Sequence, residues 1–198
     1  MLSLLDSISN TAFFSWLRDA PTIFGYATVL AFHTFGLILI VGISSAIALR
    51  TLGVASDVPL APLRGYVPLM WTGFWVNFVT GLLLFFQDGA NFATSIDYWI
   101  KMVGVLGAVV MVRRLLAYLR GPAVANTGPV GSQGRTLARG VLGFWLVAVT
   151  AGRLSAYDHL VEWQSAVAVA IVLIVLALGI MFVMPGLFSV DQAQRAKN

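Results

Sequence analysis

The sequence predicts an all-α integral membrane bundle of about five transmembrane helices, and three observations predict it. The 198 residues are 59% hydrophobic and only 10% charged, against roughly 45–50% and about 25% in a soluble domain. Five apolar stretches reach the roughly 20 residues a span needs. The charges in the connections alternate in sign balance, as the positive-inside rule requires. So few polar side chains could not cover the surface of a soluble fold this size, so lipid is the expected solvent for much of it.

The elements follow in order. Leu2, Leu5, Ile8, Ala12 and Trp16 recur at helical spacing, which predicts an interfacial amphipathic helix over residues 1–19. Met1 to Asn10 holds no Lys or Arg, and Asp6 interrupts the apolar run, so this is not read as a signal peptide. The first span is expected over 21–49, with Pro21 at a first helical position. The second is expected over 66–87, the third over 97–119 and the fourth, the least apolar, over 137–157. The fifth is expected over 163–188, ended by Pro185–Gly186. All must be helices, because lipid offers no partner to an open backbone.

The connection between spans three and four carries Arg113, Arg114, Arg120, Arg135 and Arg139 without an acid, which assigns it to the cytoplasm. Arg50 and Arg64 outweigh Asp57 in the first connection, and Arg195 and Lys197 mark the tail. Asp88 and Asp97, then Asp158 and Glu162, occupy the two opposite connections. One scheme fits them all: N-terminus outside and C-terminus cytoplasmic. The Gly- and Pro-rich stretch from Gly121 to Gly134 reads as a cytoplasmic loop. The arginine cluster is a topology signal and not a nucleic-acid patch.

With no cysteine, thiol catalysis, Cys-ligated zinc and iron–sulfur clusters are excluded. There is no metalloprotease motif, phosphate loop or Gly-x-Ser-x-Gly elbow. All eight acids fall outside the apolar cores or at their margins, unlike the buried carboxylate chain of a proton-coupled pump.

Two histidines remain. His33 is expected about twelve residues into span one, about 18 Å below its outer end. Gly36 lies one turn on and Gly25 two turns before, leaving room for something flat or for a neighbouring helix. His33 reads either as a haem ligand or quinone contact, or as an imidazole hydrogen-bonded to a neighbouring helix. His159, beside Asp158 at the mouth of span five, reads as a solvated loop histidine or as a metal or haem ligand. A bis-histidine haem needs ligands at matched height, which this pair meets only if the outer loop dips inward or span one starts later. Met70, Met102, Met111, Met181 and Met184 are alternative axial ligands, though methionine in an apolar helix usually packs.

Lys101 and Arg153 each lie about one turn inside the outer end of a span. They read as an anion site for haem propionates, a carboxylate or a quinone head, or as snorkelling cations in interfacial ion pairs. In span two Gly73, Asn77, Thr80 and Gly81 share one helical stripe, on which Asn77 needs a hydrogen-bond partner. Most tryptophans sit near span ends as belt residues do, while Trp75 and Trp145 lie deeper.

The strings Phe32-His33-Thr34-Phe35-Gly36-Leu37, Tyr98-Trp99-Ile100-Lys101 and Gly152-Arg153-Leu154-Ser155-Ala156-Tyr157 together resemble a family of bacterial multi-pass membrane proteins without an assigned activity. More distantly, a His-bearing first helix followed by Gly is similar to copper-resistance-D-like proteins and b-type membrane cytochromes. That resemblance implies a haem b or copper role, limited here to a single haem. Three functions follow as expectations. The first is a membrane redox subunit holding one haem b or contacting quinone through His33, with Lys101 and Arg153 at the acidic or carbonyl end. The second is a non-catalytic anchor or assembly subunit, in which His33 and Asn77 are packing polars. The third is a small-solute or metal permease. Each implies the lipid bilayer and either a homo-oligomer or a membrane-complex partner.

Overall fold

The computed structural model describes residues 2–121 and 130–154, together with Val167, Ala170, Ile171 and Ile174. Among the described residues every regular element is helical: α1 (Leu2–Ser9), α2 (Ala12–Asp19), α3 (Tyr26–Leu52), α4 (Leu60–Gly65), α5 (Val67–Phe86), α6 (Gly89–Thr94), α7 (Ile96–Leu119) and α8 (Ser132–Leu154). Most of the Gly121–Gly134 loop, His159 and all but four residues of the expected fifth span lie outside the described residues. Val167, Ala170, Ile171 and Ile174 are helical and exposed, and their spacing puts them on one helix face.

Among the described residues three helices are long and apolar enough to cross a membrane: Tyr26–Leu52, Leu60–Phe86 with α4 and α5 taken together, and Ile96–Leu119. Only 11% of the apolar window of the second is buried within the protein. Phe35, Trp75 and Leu106 are each more than half exposed, the apolar outer surface expected of helices that lie in lipid. Helix α8 stands where the fourth span was expected and is not one of the three; Arg135, Arg139 and Arg153 interrupt its apolar run.

Boundaries differ from the sequence reading for local reasons. The interfacial segment is two helices, because Asn10 and Thr11 break it: the Thr11 hydroxyl donates to the Ile8 carbonyl, closing α1, and Thr11 then stands extended at the N-cap of α2. Helix α3 begins at Tyr26 and not at Pro21. Before it, the Thr22 hydroxyl accepts from the Phe24 amide, and Gly25 passes so close to α2 that a Cβ there would lie 3.0 Å from the Leu17 carbonyl oxygen. This later start puts His33 about 10 Å into its helix, nearer one end than the sequence reading supposed. Helix α6 was not foreseen.

The chain divides into two compact units, Met1–Ile47 with Pro59–Trp99, and Ala48–Val58 with Ile100–Asn198. In the first, α3 and α5 pack antiparallel: His33 meets Asn77, Thr80 and Gly81, while Leu39 and Ile40 meet Gly73. The short helices close one end of α5. The Ser9 hydroxyl donates to the Phe86 carbonyl at 2.8 Å and accepts from the Gly89 amide at 3.3 Å. The Arg18 guanidinium donates to the Gln87 carbonyl at 2.8 Å. These bonds satisfy carbonyls that the end of a helix leaves without partners, and a cation suits that negative end.

In the second unit α7 and α8 form an antiparallel hairpin. Gly104 lies against Ala148, Gly107 against Phe144, Met111 against Gly140 and Tyr118 against Gly134. Residue numbers across each pair sum to nearly the same value, which fixes the register. The buried side of α8 runs Gly134, Ala138, Val141, Trp145, Ala148 and Ala151, the spacing of a single stripe. In the same unit the chain leaves α3 through Gly53 at φ 103°. The Gly53 amide bonds the Arg50 carbonyl and the Val54 amide bonds that of Leu49, a Schellman closure. The buried Arg50 side chain donates to the Val58 carbonyl and ties the following turn back to the helix.

Candidate functional site

Among the described residues the densest interhelical polar cluster surrounds His33. Helix α3 presents His33, Gly36 and Ile40 to α5 at spacings of three and four, so they lie on one face. Helix α5 answers with Gly73, Asn77, Thr80 and Gly81, the stripe legible in the sequence. Glycine at Gly36 and Gly73 is what brings the backbones together. A Cβ at Gly36 would sit 2.6 Å from both the Asn77 amide nitrogen and the Gly73 carbonyl oxygen.

That closeness lets side chains on each helix reach the other helix's backbone. The Asn77 side-chain amide donates to the His33 carbonyl at 2.8 Å. His33 Nδ1 lies 3.0 Å from the Asn77 carbonyl and 3.2 Å from Thr80 Oγ1. A carbonyl can only accept, so Nδ1 carries the proton and donates. The Thr80 hydroxyl gives its own proton to the Val76 carbonyl at 2.6 Å, which leaves it free to accept from Nδ1. His33 Nε2 is then the accepting nitrogen, and the Asn77 amide stands 3.4 Å from it. The ring edge is directed at α5 throughout: a Cβ at Gly81 would be 3.2 Å from His33 Cε1.

His33, Gly36 and Asn77 are therefore brought together. Of the deeper tryptophans, Trp145 is buried in the second unit, whereas Trp75 is exposed in an aromatic ladder with Phe74 and Phe78 on α5. Lys101 and Arg153 also share a level, at one end of the α7–α8 hairpin. The aliphatic stem of Lys101 runs along Gly152, whose Cβ position lies 3.3 Å from Lys101 Cδ. Arg153, the next residue, is exposed. Lys101 is thus half-buried against α8 while its neighbour in level, Arg153, is exposed. Asp97 is buried in the first turn of α7, where an acid complements the helix dipole. Among the described residues no three His, Cys, Asp or Glu side chains gather as a metal cage would.

The Ser9–Arg18–Gln87 cap, the stack of Tyr98 on Phe85 and its tilted contact with Phe92 were not singled out from sequence. Arg18, a lone cation between two helices, was the one available signal.

Compared with known protein families, with curated proteins and with solved structures, the chain matches none.

Proposed function

We propose that the chain is a non-catalytic membrane subunit, an anchor or assembly element whose polar residues within the spans hold its helices together. One observation carries this reading: His33 and Asn77 are engaged with each other's helix through side chain and backbone alike. An interhelical polar contact of this kind is worth about 0.6 kcal/mol on average and up to about 1.7 kcal/mol in a membrane. It acts beside a backbone approach that only glycine permits. The alternating loop charges support five spans in a bacterial inner membrane with the N-terminus outside.

A double-mutant cycle tests the clamp. His33→Ala and Asn77→Ala should each lower unfolding stability in mixed micelles by about 1 kcal/mol, and the double variant by less than their sum. Strictly additive losses would contradict it. An anchor should also leave mild detergent with a stoichiometric partner, or as a homo-oligomer, from its native membrane. A preparation monomeric and alone, or one that moves solutes into liposomes by itself, counts against the assignment.

The second reading, one haem b or a quinone at His33, has one observation in its favour. Donation from Nδ1 to a backbone carbonyl leaves Nε2 as the ligand nitrogen, the way metal-binding histidines are usually oriented. Against it, an iron on Nε2 must displace the Asn77 amide now 3.4 Å away. The macrocycle would also need space where α3 and α5 are in backbone contact.

A further inference from the structure

We infer that the loop end of the α7–α8 hairpin is a binding surface for the phosphate groups of anionic phospholipids. Five of the chain's twelve basic residues lie there: Arg113, Arg114, Arg120, Arg135 and Arg139. All five are exposed, and none of their side chains forms a hydrogen bond or ion pair with another described residue. No acid occurs between residues 98 and 154, so the hairpin's own sequence supplies no counter-charge.

The placement is specific in three ways. Arg135 and Arg139 are four apart on α8, one turn from each other on the same exposed face. Like charges at that spacing repel, so an anion lying between them is favoured twice over. The hairpin register, set by Met111 on Gly140 and Tyr118 on Gly134, puts Arg113 and Arg114 at about the height of Arg139. Arg120, just past the end of α7, is about seven residues from Arg113 and so on the same side. The hairpin end thus carries guanidinium groups over about its last 10 Å of helix length, next to a helix apolar enough to lie in lipid. Guanidinium forks match phosphate oxygens bidentately. A row of such groups at the edge of the hydrocarbon is the arrangement that gathers anionic head groups. A free phosphate shares this chemistry, but only a lipid phosphate is held at that depth by its own acyl chains.

Native mass spectrometry of the purified full chain, in micelles doped equally with phosphatidylglycerol and phosphatidylcholine, tests the proposal. The wild type should retain phosphatidylglycerol at least about fivefold over phosphatidylcholine. Arg135→Gln with Arg139→Gln should cut that preference to about twofold or less; both residues are exposed, and three arginines remain to hold the topology. Lys101→Gln with Arg153→Gln, at the other end of the hairpin, should leave it unchanged. Equal retention of the two lipids by the wild type overturns the proposal, as does a preference that survives loss of Arg135 and Arg139. Inorganic phosphate displacing the lipid at equal concentration overturns the lipid assignment.

Discussion

Gly36→Ala is expected to destabilise the α3–α5 pair by about 2 kcal/mol, and Gly36→Leu to prevent its formation. The reason is the identity of the atoms in the way. The added Cβ would lie 2.6 Å from the Asn77 nitrogen and from the Gly73 oxygen, both backbone. A side chain could rotate aside, but backbone in a helix cannot, so the helices must separate. Separation also breaks the bonds between His33 and Asn77, whose lengths depend on the same approach. The matched control is Gly42→Ala on the same helix. It is exposed and a Cβ there meets nothing within 4 Å. It should be neutral or slightly stabilising, since alanine is favoured over glycine in a helix by up to about 1 kcal/mol. Denaturant titration in mixed micelles reads both. Equal behaviour of the two variants would falsify the close contact.

The second large effect is expected in the other unit. Gly104→Ala brings its Cβ to 2.9 Å from the Ala148 nitrogen and 3.0 Å from its Cα, so the α7–α8 hairpin should also lose about 2 kcal/mol. Gly107→Ala makes a nominally tighter contact, yet the obstacle is the Phe144 ring. A ring can turn about its side-chain torsions, so this loss should be about 1 kcal/mol or less. Gly143→Ala, with open space around it, should cost nothing. The expected ranking, Gly104 above Gly107 above Gly143, exchanges the first two places that distance alone would give. Thermal unfolding followed by far-ultraviolet circular dichroism distinguishes the two orders.

The helices over 26–52, 60–86 and 96–119 were legible because an apolar run of membrane length leaves the backbone one option. The stripe of Gly73, Asn77, Thr80 and Gly81 was legible for a related reason: helical periodicity places those residues on one face before any partner is known. What that face meets was not legible. Gly36 was legible as room beside His33 from its place one turn on, but that α5 fills this room, through Gly73 and Asn77, is set by tertiary packing. The break at Asn10 and Thr11 was hidden because the hydrophobic period continues across it, while the Thr11 hydroxyl closes the first helix locally. Helix α3 starts five residues beyond Pro21 because Thr22 and Gly25 make local contacts that composition does not record. Lys101 and Arg153 were recognisable as cations at one level near one membrane surface; that the Lys101 stem lies along Gly152 needed the hairpin register.

In the proposed anchor the His33 imidazole serves to hold α3 against α5. An absorption spectrum of the detergent-solubilised protein, recorded as purified and again after incubation with haemin and removal of the excess, tests it most directly. The clamp predicts no Soret band in either sample, from a protein that is folded and helical. A Soret band present in the wild type and lost in His33→Ala would contradict it, because the nitrogen facing Asn77 would then be binding iron.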